Sequence, residues 1–349
     1  MPSTTTAPAP AEGLAGMHPA YFALVMATGI VSIASQLLDV PLVPKALFAL
    51  NVVFYPALWV LTVVRAFRHR ARFVADLSHH GRAVGFFTIV AATCVLGSQC
   101  LIIGEAPTVA FWLWVLGIVL YVVLVYSVFA ILTVKEQKPP LAEGLNGGWL
   151  VSVVAAQSVA VLGAQLSSSI ANPDRVLFFC LSMWLGGGML YLWIISLIFY
   201  RYTFFPLAPS DLAPPYWINM GAAAISTLAG SMLVAQSARS PVIAELLPFV
   251  RGLTLMWWAT ATWWIPMLLV LGVWRHGYRR FPFRYDPLFW GAVFPLGMYT
   301  AATVRLSRAI DAPFLFDIAR RFIFVALAAW AIVFVAMLMR VGGRLLGRR

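Results

Sequence analysis

An all-α integral membrane fold, with ten transmembrane helices paired as five helical hairpins, is what this sequence predicts, on three observations. Hydrophobic residues make up 62% of the 349-residue chain and charged residues only 10%, against roughly 25% charged in an average soluble domain. Five membrane-length stretches repeat one pattern: an aromatic pair, or an aromatic beside Leu, followed by small residues. Lys and Arg crowd into every second connecting segment. A crossing of about 30 Å of hydrocarbon takes about 20 apolar residues, so ten crossings use nearly the whole chain and leave no room for a large soluble domain.

The spans fall near 18–38, 45–65, 83–104, 107–133, 147–167, 176–200, 214–236, 248–274, 287–307 and 318–340. Residues 1–16, rich in Pro, Thr and Ala and without Lys or Arg, lack the basic region and apolar core of a cleavable signal peptide and read as a disordered tail. Residues 17–341 form one ten-helix transport domain, and 342–349 a basic cytoplasmic tail.

The repeat runs through the odd-numbered spans. Tyr21-Phe22 leads to Ala27-Thr28-Gly29, Phe86-Phe87 to Ala91-Ala92-Thr93, and Trp149-Leu150 to Ala155-Ala156-Gln157. Tyr216-Trp217 leads to Gly221-Ala222-Ala223-Ala224, and Phe289-Trp290 to Pro295-Leu296-Gly297. The even spans are rich in Leu, Val, Ile, Trp and Phe, which suits lipid or a neighbouring subunit. Small residues in membrane helices mark either close backbone packing or a watery lining. Five such stretches in register favour an inner ring of odd helices around a pore, with quasi-fivefold symmetry. The expected lining is Thr28, Gly29, Ser32, Ala92, Thr93, Ala156, Gln157, Gly221, Ala222, Gly291, Gly297 and Met298, with further hydroxyls from Thr88, Ser158, Ser226, Thr227 and Thr300.

Orientation follows from charge, because cytoplasmic loops retain Lys and Arg during insertion. Only Lys45, Arg175, Arg239, Arg251, Arg305, Arg308, Arg320 and Arg321 lie on one side; the other sixteen of the 24 follow even-numbered spans. Both termini are therefore expected in the cytoplasm, with the chain in the plasma (inner) membrane.

No acidic or basic side chain falls within the odd spans between Met26 and Gln36, Thr88 and Gln99, Trp149 and Gln165, Trp217 and Gln236, or Phe289 and Val304. Proton-coupled carriers keep an ionisable group at membrane depth, so a neutral lining points to passive or electrogenic flow of small anions, inorganic or organic. The basic loops would concentrate those anions. In the ninth span Pro295 has no N–H to give the carbonyl of Gly291, so a bend is expected there. The bend would position Phe294 either across the pore as a gate or in an interhelical core.

Other residues point elsewhere. His79-His80 reads as a solvated basic loop and Cys94, Cys100 and Cys180 lack any paired spacing, so neither a metal, a cofactor nor a disulfide is expected. No His, Asp or Glu cluster suggests an enzyme, and the partner surface is lipid, not nucleic acid. His18 is an interfacial residue able to titrate near neutrality. Arg305 and Arg308, with Asp311 and Asp317 behind them, form an anion-attracting vestibule, an ion-paired cap or snorkelling anchors. Trp257 and Trp264, on one face of the eighth span, suit lipid or a subunit interface.

The segment His18-Pro19-Ala20-Tyr21-Phe22-Ala23-Leu24-Val25-Met26-Ala27-Thr28-Gly29-Ile30-Val31-Ser32 resembles the first-helix signature of the tellurite-resistance/dicarboxylate transporter family, which includes slow-type, or voltage-dependent, anion channels. Phe289-Trp290 and Phe294-Pro295 look like that family's gate region, and Asn146-Gly147-Gly148-Trp149 like the start of its fifth helix. The likeness runs from about Met17 to Val341. It implies a ten-helix subunit, an anion pathway inside five helices, a pore phenylalanine at Phe294, and a homotrimer. It also admits export of four-carbon dicarboxylates or sulfite. One departure is Ala27 where the family has Gly, leaving Gly29 for close approach.

Overall fold

In hydrocarbon a backbone must satisfy its own N–H and C=O groups, so each apolar stretch folds as helix. The computed structural model describes residues 13–345 apart from Arg284, and these residues contain helices and no strand. Among them, nine helical segments are long and apolar enough to cross a bilayer. The principal helices are α1 Ala23–Leu37, α2 Val43–Arg68, α3 Phe87–Ile102, α4 Pro107–Val134, α5 Val151–Leu166, α6 Pro173–Phe204, α7 Ile218–Ala235, α8 Leu247–Val273, α9 Trp290–Ala309 and α10 Phe314–Leu345. The helix outside the nine is α9, whose Gly291, Pro295, Gly297, two Thr and two Arg dilute its apolar character.

Residues 1–12 of the expected tail lie outside the described residues, while Gly13–Gly16 forms a turn of 3-10 helix. At the other end α10 continues through Gly342 and Gly343 to Leu345, so the first part of the expected basic tail is helical. Residues 346–349 lie outside the described residues.

Burial divides the helices into two sets. The spans containing α1, α3, α5 and α7 are 78–94% buried, those containing α2, α4, α6, α8 and α10 only 17–39%, and α9 buries nearly every residue. The inner contacts close on themselves: α1 packs on α3, α3 on α5, α5 on α7, α7 on α9, and α9 on α1. Each outer helix packs on the inner helix before it and also touches the next one.

Those second contacts are fastened by aromatic donors. Tyr55 of α2 shares a hydrogen bond with Thr93 of α3, and Trp114 of α4 donates to the Val159 carbonyl of α5. Trp184 of α6 donates to the Ser226 carbonyl of α7, and Trp258 of α8 to the Thr303 hydroxyl of α9. Trp330 of α10 closes the circuit by donating to the Thr28 hydroxyl of α1, 302 residues away in sequence. Aromatic rings suit this use, since each brings a large apolar surface together with one polar atom that must be paired.

Trp257 and Trp264 differ from the expectation. Both are 2% exposed, with Trp257 edge-on to Tyr191 of α6 and Trp264 edge-on to Tyr202. They share a face, as the heptad spacing requires, but it turns toward the protein. Trp263, 53% exposed, holds the outward position.

Candidate functional site

Each inner helix opens the same way. A 3-10 turn carries the aromatic pair or its first residue, at Pro19–Phe22, Val84–Phe86, Gly147–Leu150, Pro214–Trp217 and Pro287–Phe289. Proline early in three of these turns supplies a preset φ where no N–H bond is needed. The side chains of His18, Asn146 and Asp286 then accept from the N–H two residues on, tying down the entry in three repeats.

Two chambers lie between the inner helices. One, of about 80 Å³, is at the end bearing Arg82 and the short helix His80–Ala83; its lining includes Ala20, Gly85, Gly148, Pro215 and Leu288. These five residues hold the same place in the five repeats, immediately before the aromatic pair. Thr88, Val151, Ile218 and Gly291, immediately after the pair, line it too. The other chamber, of about 20 Å³, is lined by Ile30, Val95, Ser158, Ile225 and Met298, again one equivalent residue from each repeat. Its far end carries Leu37, Ile102, Gln165 and Arg305.

Between Gly291 in the first chamber and Met298 in the second run two helical turns, about 10 Å. The residue midway on that face is Phe294, and its equivalents are Met26, Ala91, Val154 and Gly221. None of Met26, Ala91, Val154 and Phe294 is more than 2% exposed. Phe294 is the largest of the five. Helix α9 stays helical through Pro295, whose ring packs so closely on Gly221 that a Cβ there would lie 2.7 Å from it.

Of the residues expected to line a pore, Gly291 and Met298 border the chambers, as do Thr88 and Ser158. Several others face outward or sideways. Thr28 and Thr93 bond to α10 and α2, Ser32 donates to the Pro44 carbonyl, and Gln157 donates to the Trp184 carbonyl of α6. Ala156 packs on Gly187, Gly29 on Val95 and Asn51, and Gly297 on Ile30 and Val31, while Gly221, the equivalent of Phe294, lies against the Pro295 ring. Ser226, Thr227 and Thr300 donate to carbonyls one turn back, and the Ala222 carbonyl receives the Ser226 hydroxyl. Ala92 is fully buried. Hydroxyls thus serve mainly as fasteners, and the chambers are lined chiefly by aliphatic side chains.

Charge sits at the two ends. Arg305 borders the smaller chamber and makes no ion pair or side-chain hydrogen bond among the described residues, so the ion-paired cap expected with Asp311 and Asp317 does not form around it. Nearby Gln165 has a buried, unpartnered Oε1. At the other end Asp76 pairs with both Arg65 and Arg82, and Arg82 donates to the Met17 carbonyl. Burial works to raise the Asp76 carboxyl, but the Arg82 and Arg65 guanidiniums outweigh it and hold the carboxyl below its ordinary range. His18, lining the larger chamber, is pushed down to about 4, first by burial and then by Arg82. It is therefore neutral near pH 7 and does not titrate there. Among the described residues no three His, Cys, Asp or Glu side chains converge as a metal site would need.

The voltage-dependent anion channel family matches residues 16–338. The chain belongs to that family. Relatives of this member include a membrane protein of Mycobacterium tuberculosis, 42% identical over 43% of this chain and 75% of the relative. An uncharacterized transporter of Methanocaldococcus jannaschii is 26% identical over 82% of each chain. A sulfite efflux pump of Trichophyton rubrum is 25% identical over 92% of this chain and 90% of its own. Family and relatives together make this a membrane protein of anion transport.

Proposed function

We propose that the chain conducts small anions passively along the axis of its inner helices, and that the Phe294 ring closes the path at rest. One observation carries the reading: equivalent residues of all five repeats border both chambers, and Phe294 occupies the equivalent place between them. The ten helices then span the membrane as five hairpins with quasi-fivefold symmetry in one domain over 17–341. The basic loops and both termini face the cytoplasm of a cell whose plasma membrane holds the protein, and the exposed outer helices serve lipid contact and homotrimer assembly. The smaller chamber has room for about one water, too little for a hydrated anion, which fits a closed state. Arg305 at its mouth offers an unpaired positive charge to anions.

Relatives that are sulfite efflux pumps favour sulfite among the cargoes. A proton-coupled exporter of sulfite or four-carbon dicarboxylates is the second reading. It would need an ionisable group between the chambers, and the inner helices carry none there.

The test is flux in proteoliposomes across chloride, nitrate, sulfite, malate and succinate, for wild type and Phe294→Ala. Removing the ring is expected to raise flux about tenfold, the effect of lowering a barrier by about 1.4 kcal/mol. Unchanged flux in a folded variant would overturn the gate. A reversal potential that shifts with pH would favour the coupled exporter.

A further inference from the structure

A groove of about 490 Å³ lies outside the inner helices, where α8 ends against the aromatic turn of the fourth repeat and the start of α9. That volume is in the range of small-molecule sites. Its walls are aliphatic and aromatic, from Leu268, Leu269 and Val273 on α8 to Phe283 and Phe289 across from them, and no carboxylate lines it. Leu269, Val273 and Phe283 are more than half exposed, so the groove opens on the side where a bilayer lies.

Its other end is basic. The last turn of α8 widens into a π-helix over Trp274–Tyr278, a feature frequent at functional sites. This turn brings Arg275 and His276 onto the groove, with Arg279 and Arg280 just beyond. Arg275 donates from Nη1 to the Leu212 carbonyl and lies 4.5 Å over the Phe281 ring, but its Nε is buried without a partner.

We propose that this groove binds an anionic phospholipid, its acyl chain along Leu268, Leu269 and Val273 and its phosphate at Arg275. The apolar wall lies at membrane depth and the basic cluster follows at the helix end, which is the order of tail and headgroup in a leaflet. Basic pockets between membrane helices recognise anionic headgroups in this way. A free inorganic anion would gain nothing from the long apolar wall. The inference rests on the membrane fold alone, not on conduction through the axis.

The full-length protein in detergent is titrated with phosphatidylglycerol and phosphatidylcholine of matched acyl chains, and bound lipid is counted by native mass spectrometry. Phosphatidylglycerol is expected to bind about tenfold more tightly, as one or two added headgroup contacts imply. Gly272→Phe fills the groove from a position where an added Cβ meets nothing within 4 Å, and it is expected to remove that preference. Leu269→Trp on the exposed rim is a second blocking variant, and Gly252→Phe, at the opposite end of α8 and equally open, is expected to bind like wild type. Equal affinity for the two lipids, or a preference that survives both blocking variants, overturns the proposal. A change of subunit stoichiometry in Gly272→Phe also overturns it, by assigning the groove to a second copy.

Discussion

The two chambers are built by the same five helices yet differ in what faces the axis. At the basic end the lining residues before the aromatic pair are Ala20, Gly85, Gly148, Pro215 and Leu288, which leave space because four of them are small or cyclic. Ten residues further along each repeat, the equivalent set is Ile30, Val95, Ser158, Ile225 and Met298, mostly larger side chains, and the space there is about 20 Å³ against about 80 Å³. One repeat therefore borders a wider space at one end and a narrower space at the other, with larger side chains at the narrower one. The basic end is also locked by a charge cluster, whereas Arg305 at the narrow end is left unpaired.

Breaking the lock tests that contrast most strongly. Asp76→Asn leaves Arg65, 3% exposed, without its carboxylate and is expected to cost about 3 kcal/mol, read as a fall in melting temperature in detergent. Because Asp76 is held below the ordinary carboxylate range, the stabilisation it gives wild type is present at neutral pH and lost in acid. Gly147→Ala comes next. A Cβ there would lie 2.4 Å from the Pro215 carbonyl oxygen and 2.5 Å from Tyr216 Cα, backbone that cannot step aside, so a loss of about 1–3 kcal/mol is expected. Gly186→Ala, with nothing within 4 Å, is expected to keep or slightly raise stability.

At the narrow end Arg305→Gln is expected to lower anion flux about fivefold at low salt, the effect of about 1 kcal/mol of attraction in water. In 1 M salt, where screening acts over about 3 Å, the loss should nearly disappear. The smallest effect is expected from pH. With His18 neutral down to about 4, flux should stay flat from neutral to mildly acidic pH. Since its folded pKa lies below the unfolded 6.5, its contribution to stability is full above 6.5 and lost as pH falls toward 4. His18→Asn should flatten that part of the stability profile.

The aromatic-pair repeats, nine of the ten span positions and the family were legible in the sequence because aromatic pairs and apolar length survive as local pattern. The axis-facing residues were only partly legible. Small and polar residues suggest a lining by composition, yet Thr28, Thr93 and Gln157 bond to outer helices. In hydrocarbon a hydroxyl or amide gains most from a protein partner, so these residues turn toward neighbours. The residues that border the chambers follow the helical period counted from each aromatic pair: Gly291 and Met298 do, and so does Val95, an ordinary valine by composition. For Arg305 the sequence leaves a vestibule charge and an ion-paired cap both open, because Asp311 and Asp317 stand close in sequence and sequence proximity does not fix where a side chain points.

The most direct measurement is cysteine modification in a cysteine-free Phe294→Ala chain reconstituted for flux. Ile30→Cys, Val95→Cys, Ser158→Cys, Ile225→Cys and Met298→Cys are each treated with a charged methanethiosulfonate reagent, beside Thr28→Cys, Thr93→Cys and Ala156→Cys. Block at the first five and none at the other three is the expected result. Block at the second set with none at the first would place the pathway elsewhere and contradict the account.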